Sequence, residues 1–235
     1  MVVIDIKADI ISNGYKMMYD WFGLDSFAPK DLAKALSNDD DDDDIVVNIS
    51  SNGGDVVAAN EIYTVLKSSN KNVVVNIQGL AASAASVIAM SGNVVNISPV
   101  AQIMIHKAWT QSAGNSDDLE HEAKVLDGVD RSIAAAYELK TGMAQTDLLQ
   151  LMSNETWLTA QDAVDKGFAD SIMFVDENKP VFSNSIGNVP SAEKLNEFMN
   201  FMNFKNRNNP PKEEPTKENQ QADLRKRKLA ILLEK

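Results

Sequence analysis

The sequence contains no cysteine and only two histidines among its 235 residues. The absence of cysteine excludes disulfide bonds, thiolate metal ligands and catalysis by a cysteine nucleophile. The longest weakly polar stretch, Gly79 to Met90, falls short of the roughly 20 apolar residues that a membrane-spanning helix needs. No basic segment or cleavage site of a signal peptide follows Met1. The lack of a membrane span and of a signal peptide predicts a cytoplasmic protein without a membrane partner.

Basic residues are too few to balance the acidic ones, so the net charge is −12. The consecutive aspartates Asp39–Asp44 account for half of that excess. We interpret this run as a solvated loop, because adjacent carboxylates repel one another and lack the geometry of a metal site. An acidic chain has little attraction for a phosphate backbone, which argues against nucleic acid as the main partner. We expect neither a cofactor nor a metal ion.

The C-terminal part of the chain differs from the rest in composition. Residues 205–235 carry nine basic and five acidic side chains, a net charge of +4, so the remainder carries −16. We therefore predict a folded domain over residues 1–180 and a polar, proline-bearing, largely disordered linker over residues 181–223. Residues 224–235 are a candidate for a short basic and apolar helix.

Apolar, β-branched segments alternate with amphipathic segments along the first 180 residues. The predicted strands are Val2–Ile11, Ile45–Ser50, Asn72–Gln78, Asn93–Ser98 and Ala101–His106. The predicted helices are Pro29–Leu36, Val56–Ser69, Ser86–Gly92, Ser116–Thr141, Leu148–Met152 and one beginning at Thr159. Strands alternating with helices are typical of an α/β fold on a mainly parallel sheet.

The longest predicted helix, Ser116–Thr141, has Ser116 as its expected N-cap and Gly142 as its expected stop. Apolar residues recur along it at spacings of three and four. This stripe consists of Leu119, Ala123, Leu126, Val129, Ile133 and Tyr137. We expect the helix to project from the domain and to pair with neighbouring subunits.

Two side chains are candidates for nucleophilic chemistry. Ser83 lies in "GLAASAAS", between a predicted strand and a predicted helix. It is either a nucleophile at the start of the helix or, like Ser86, a small residue in a tight corner. His106 ends an apolar strand and is either the base that such a serine needs or a surface histidine. His121 lies among acidic residues on a solvated helix face.

The glycine pair in "SNGGD", residues 51–55, forms a second turn between a strand and a helix. Such a turn can present a backbone N–H to the oxyanion of an acyl-transfer reaction. A Gly-Gly pair is also common in turns without any catalytic role. The glycine pair alone therefore does not distinguish a catalytic turn from an ordinary one.

Four segments occur in the order that resembles the Clp protease proteolytic subunit family. They are "NISSNGGDVVAANEIYTVLK", "GLAASAASVIAMSG", "AQIMIHKAW" and "ETWLTAQDAVDKGFADSI". The resemblance covers residues 3–175 and implies an α/β fold of the Clp protease/crotonase type, with repeated β-β-α units and a projecting helix used in oligomerisation. It implies a serine endopeptidase with Ser83 as nucleophile and His106 as base. The backbone N–H groups of Gly54 and Ala84 would form the oxyanion hole.

The third member of the implied triad departs from the family pattern. Where bacterial subunits usually carry aspartate, this chain has Glu155 in "ETWLTA". A glutamate can also orient the imidazole and stabilise its cation. Three aspartates are alternatives for this role: Asp147, Asp162 and Asp170.

Within the family, the chain is most similar to the phage prohead (head maturation) proteases. The segments that carry this likeness are "YDWFG", "SSNGGDV", "HKAWT" and "ETWLTA". The likeness implies a homo-oligomer, a heptamer or stacked rings, whose substrate is capsid or scaffold protein. The first strand begins close to Met1 and leaves little room for a segment that meets an ATPase, so we expect an ATPase-independent enzyme.

Four alternatives stay open at this point. The chain is a bacterial-type peptidase subunit, an inactive ring that scaffolds assembly, a crotonase-like acyl-CoA enzyme, or a protease with a Ser-Lys dyad. The last would use Lys107, although the side chain after His106 should point to the opposite face of the strand.

Overall fold

A computed structural model describes residues 1–37 and 44–175. Asp39–Asp43, the predicted linker and the predicted C-terminal helix lie outside the described residues. The strands are β1 Val2–Ile6, β2 Asp9–Ile10, β3 Ser26–Phe27, β4 Ile45–Ser51, β5 Val73–Ala82, β6 Val94–Ile97, β7 Gln102–Ile105, β8 Thr156–Thr159 and β9 Ser171–Ile172. The helices are α1 Lys16–Phe22, α2 Pro29–Ser37, α3 Val56–Lys67, α4 Ala84–Ala89, α5 Ser116–Thr141, α6 Gln145–Ser153 and α7 Ala160–Asp165.

The main sheet has seven strands, and five of them run parallel in the order β1-β4-β5-β6-β9. The long strand β5 continues past β6 and pairs its last residues in parallel with β7. Strand β8 then pairs with β7 in the antiparallel direction. The mixed α/β fold with a mainly parallel sheet is therefore confirmed.

The core lies between this sheet and the helices packed on it. Strand β4 alternates strictly, with Ile45, Val47 and Ile49 at most 1% exposed. Branched apolar side chains at every second residue bury one face of a pleated strand and pack well there. Helices α3 and α4 contribute Ile62 and Ile88 to the same core. The segments that directly follow the carboxyl ends of β4, β5 and β7 form the site.

The predicted first strand, Val2–Ile11, is wrong as a single element. The chain leaves the main sheet after β1, and β2 pairs instead with β3 and with the backbone of Gly54. Ser51 Oγ donates a hydrogen bond to the carbonyl of Ala8 at the break. This break brings β2 against the glycine turn rather than against the edge of the sheet.

Helix α5 has the predicted bounds, but its N-cap is Asn115 rather than Ser116. The Asn115 side chain accepts from the N–H groups of Asp117 and Asp118, and Asp118 completes a capping box. Gly142 ends the helix with φ 70°, as predicted. Among the described residues, no helix is long and apolar enough to cross a membrane.

The apolar stripe of α5 divides into two parts. Ile133 and Tyr137 are buried in the core of their own domain, so this part of the stripe cannot pair with a neighbouring subunit. Leu119 is 47% exposed and Leu126 is half-buried. Only the N-terminal half of the stripe is therefore available to a second subunit.

Candidate active site

Ser83 is the single residue between β5 and α4. Its backbone has φ 54° and ψ −124°, a region that side-chain-bearing residues rarely adopt and that is common at functional turns. The Ser83 N–H donates to the carbonyl of Met104 at 2.8 Å, and the Ser86 N–H donates to the Ser83 carbonyl. A sharp strand-to-helix turn of this kind exposes a nucleophile at the end of a sheet. Strand β5 extends through Ala82 and α4 begins at Ala84, so the connection is one residue long and shorter than the sequence predicted.

His106 directly follows β7, the strand that pairs with the end of β5. Because Ala82 lies opposite Met104 in this pairing, the next residues of the two strands emerge side by side. The His106 Nε2 atom lies 2.7 Å from Ser83 Oγ. This distance is within the range that proton transfer to a general base requires. For that transfer, Nε2 accepts from the serine hydroxyl and the ring carries its proton on Nδ1.

The glycine pair fits tightly against two backbones. A Cβ atom on Gly53 would lie 2.6 Å from the Ala82 carbonyl oxygen and 2.9 Å from the Ala84 nitrogen. On Gly54 it would lie 2.0 Å from the carbonyl oxygen of Ile10. Both glycines also have positive φ, 99° and 145°, so side chains are excluded by space and by conformation. The turn therefore lies directly against the nucleophile.

The N–H groups of Gly54 and Ala84 have no acceptor within the described part of the chain. Ala84 is the first residue of α4, where the N–H has no partner inside the helix. Two unused amide donors beside a serine are what an oxyanion hole needs.

Glu155 directly precedes β8, and its carboxylate accepts a hydrogen bond from Trp157 rather than from His106. The antiparallel pairing of β7 and β8 ends at Ile105 and Thr156, so His106 and Glu155 are the residues next to the last pair. Glu155 has φ 48°, and its exposed Oε1 accepts from the Trp157 indole N–H at 3.3 Å. Over the described ranges, no hydrogen bond or ion pair joins Glu155 to His106.

The three alternative aspartates have other partners or positions. Asp162 accepts from the Thr159 hydroxyl in the capping box of α7, which lowers the pKa of its carboxyl group. Asp170 accepts from the Val95 N–H and pairs with Lys140, both at 2.6 Å. Asp147 lies in the first turn of α6. His121 is exposed on α5.

Ser86 is inaccessible to a substrate and has a structural role. It is fully buried, and its hydroxyl donates to the Ser83 carbonyl at 2.5 Å. The Tyr137 hydroxyl lies 2.8 Å from Ser86 Oγ. Burial raises the pKa of Tyr137 well above its ordinary range, so this residue stays a neutral hydrogen-bonding group. Both side chains support the turn that carries Ser83.

A cavity of about 350 Å³ opens beside Ser83 and His106. Its other lining side chains are mostly apolar and include Val56, Val87, Ile133 and Trp109. A largely apolar cavity next to a nucleophile suits an apolar side chain of a peptide substrate. Within the described ranges, no three acidic, histidine or cysteine side chains gather to hold a metal ion.

Asp130, a carboxylate on α5 that is only 4% exposed, was not among the residues predicted from the sequence. It accepts from the Ala108 N–H at 2.8 Å, and its other oxygen lies 3.5 Å from Lys107 Nζ. Lys107 is therefore paired with Asp130 and not with Ser83. The one available signal was the position of Asp130 between Val129 and Ile133, on the packed side of the helix.

A sequence profile of the Clp protease family matches residues 30–176. Relatives include "ATP-dependent Clp protease proteolytic subunit 2" of Tropheryma whipplei (strain Twist), 28% identical over 119 residues, which are 50% of this chain and 66% of that protein. The proteolytic subunit of Pleurastrum terricola is 30% identical over 119 residues, 50% of this chain and 61% of the relative. Proteolytic subunit 1 of Chlamydia abortus (strain DSM 27085 / S26/3) is 30% identical over 123 residues, which are 51% of this chain and 64% of the relative.

The match spans less than two thirds of the length of each of these relatives. The family profile, in contrast, covers well over half of the present chain and includes the turns at Gly53–Gly54, Ser83 and His106. On that extent of agreement, the chain belongs to the Clp protease family, whose members are serine peptidases.

Proposed function

We propose that this chain is a serine endopeptidase with Ser83 as its nucleophile. The observation that carries the proposal is the 2.7 Å distance between His106 Nε2 and Ser83 Oγ. His106 takes the hydroxyl proton while Oγ attacks the carbonyl carbon of the scissile peptide bond. The same imidazole then gives that proton to the leaving amine. A water molecule activated by His106 hydrolyses the acyl-enzyme and regenerates the serine.

The developing negative charge of the tetrahedral intermediate is stabilised by the N–H groups of Gly54 and Ala84. The support for this role is that both amides lack an acceptor among the described residues and lie at the turns that meet beside Ser83. Glu155 is the third member of the triad. Its support is the register of β7 and β8, whose last pair, Ile105 with Thr156, adjoins both His106 and Glu155. Its carboxylate has to leave the Trp157 indole and turn to Nδ1 to fulfil this role.

We propose further that the enzyme is a phage head maturation protease that cleaves capsid or scaffold protein in the host cytoplasm. The support is the set of sequence features shared with that branch, such as "YDWFG" and "HKAWT". In this proposal residues 1–180 form the protease domain, consistent with a family match that ends at residue 176. Residues 181–235 take no part in the chemistry.

Co-expression with the major capsid protein tests this assignment. We expect the wild-type enzyme to shorten the capsid or scaffold protein at defined bonds, visible as new intact masses. The Ser83→Ala variant should leave the same proteins at full length. Full-length capsid and scaffold proteins beside an enzyme that hydrolyses small peptides would contradict the substrate and leave the peptidase assignment intact.

A second function, the peptidase subunit of an ATP-dependent machine, is favoured by the relatives, which are named proteolytic subunits of ATP-dependent Clp proteases. Degradation of an unfolded protein, measured with and without a bacterial unfoldase and ATP, distinguishes the two. A rate that is independent of the unfoldase supports the head protease. Stimulation that requires ATP supports the second function. An acyl-CoA enzyme would make no use of the Ser83–His106 pair.

Assembly into homo-oligomeric rings is part of the proposal, and it predicts the effect of a charge on α5. Leu126 is half-buried within its own chain and belongs to the N-terminal half of the stripe. If a neighbouring subunit completes its burial, Leu126→Asp removes about 1.5–3 kcal/mol of apolar burial per contact and adds a desolvated charge. We expect rings to dissociate into smaller species in mass photometry, with an unchanged circular dichroism spectrum.

Ser132→Asp is the matched control for this prediction, because Ser132 is exposed on the same helix. It adds the same charge without removing an apolar contact, so rings should persist. A wild-type protein that is monomeric at micromolar concentration would contradict the assembly proposal.

A further inference from the structure

The chain segment that follows His106 has very few hydrogen-bonding partners of its own. Residues 107–114 contain no helix or strand. The hydrogen bond and the ion pair found for this segment within the described residues both go to Asp130. Asp130 is therefore the polar anchor of the segment that leaves the active site.

Asp130 is also the only buried charged side chain of the described residues. A carboxylate that is removed from water is costly unless charged or hydrogen-bonding groups replace the lost solvation. One of its oxygens accepts from the Ala108 N–H at 2.8 Å, and the other faces Lys107 Nζ at 3.5 Å. Its two partners are the first two residues after His106, so its interactions are concentrated on one short stretch of backbone.

The backbone is therefore fixed both before and after His106. On one side, Ile105 is fixed in β7 by its pairing with β8. On the other side, Ala108 is fixed to α5 by Asp130. A base has to stay within roughly 2.6–3.2 Å of the proton it removes, and a misplacement of about 1 Å can lower a rate about 10²-fold.

We propose that Asp130 is a positioning residue of the peptidase, which holds the Lys107–Ala108 backbone so that His106 stays on Ser83. The inference rests on the proposed peptidase function. The Glu155 carboxylate is hydrogen-bonded to Trp157 and does not hold the imidazole in this structure. In our proposal, Asp130 on α5 helps to keep the imidazole in position instead. Asp130 acts through the backbone and contacts neither the substrate nor the reacting atoms.

The test compares Asp130→Ala, Asp130→Leu and Asp130→Asn in the full-length chain. Ala removes the acceptor, Leu removes it while filling the buried space, and Asn keeps an oxygen for the Ala108 N–H. We expect the second-order rate of Ser83 labelling by a fluorophosphonate, per folded molecule, to fall about 10²-fold in Ala and Leu. The Asn variant should stay within about threefold of wild type, since neutral acceptors retain part of such a bond.

Hydrogen exchange of a peptide covering residues 106–115 reports the bond directly. Protection should be lost in the Ala and Leu variants and kept in Asn. Asp127→Ala, which removes an exposed carboxylate one turn away on α5, should change neither readout. Leu32→Ala, a core change on α2, controls for stability by lowering the melting temperature without slowing the labelling of folded molecules.

Two outcomes would overturn the inference. One is wild-type labelling by Asp130→Leu despite lost protection, and the other is equal slowing in Leu32→Ala. A wild-type enzyme that does not react with the phosphonate would instead refute the peptidase proposal itself, so the two failures are distinguishable.

Discussion

Ser83→Ala is expected to abolish peptide hydrolysis and fluorophosphonate labelling. Removal of a serine nucleophile leaves only the binding and oxyanion contributions, so we expect kcat to fall by more than about 10⁴-fold. The fold should persist, because the hydroxyl contributes one hydrogen bond, to His106, at a half-buried position. Alanine also adopts the φ of 54° at a cost similar to that of serine. Steady-state hydrolysis of a fluorogenic peptide and a labelling gel measure both effects.

Ser86→Ala is the matched control, since it removes a hydroxyl three residues further along the same turn. Labelling should remain, because Ser86 is fully buried. Stability should fall by about 1–3 kcal/mol, since the buried Tyr137 hydroxyl loses its partner. A phosphonate adduct on Ser86 in the wild-type protein would contradict the assignment of the nucleophile. An unlabelled wild-type protein that still forms rings would favour the inactive scaffold.

The main sheet could be predicted from the sequence because its strands carry their own signal. Strand β4 and the first part of β5 are runs of β-branched residues between turn residues, and α5 has a long apolar period with a cap and a glycine stop. Helix α1 carries no such signal, because it buries none of its seven residues and leaves Met17 and Trp21 about 80% exposed. Strands β8 and β9 are short, and their pairing depends on distant partners rather than on local pattern.

In the candidate site, too, some features could be predicted from the sequence and others could not. Ser83, His106 and the glycine pair follow strands whose carboxyl ends meet in a parallel sheet, so their proximity could be inferred from position alone. The orientation of the Glu155 carboxylate depends on its φ of 48° and on Trp157, which no periodicity encodes. The contact of Asp130 with Ala108 joins residues 22 positions apart. It requires the docking of α5 against the loop, which is a tertiary event.

His106→Ala should have the second-largest effect, because it leaves the Ser83 hydroxyl without a base. We expect kcat/KM and the labelling rate to fall together by about 10⁴-fold or more, since both depend on deprotonation of the same oxygen. The other histidine provides the control. His121→Ala changes an exposed residue on α5 and should be fully active in both assays.

The Glu155→Gln variant tests the third member of the triad, and its loss of activity is compared with that of His106→Ala. The amide keeps the size of the side chain but cannot stabilise the imidazolium by charge, so we expect a smaller loss than for His106→Ala, of about 10²-fold or more. Asp147→Asn removes a carboxylate from the first turn of α6 and should retain activity. A fully active Glu155→Gln enzyme together with an inactive Asp147→Asn enzyme would show that the acid was assigned to the wrong residue. The base assignment would stand, because it depends on the Ser83–His106 distance and not on the identity of the acid.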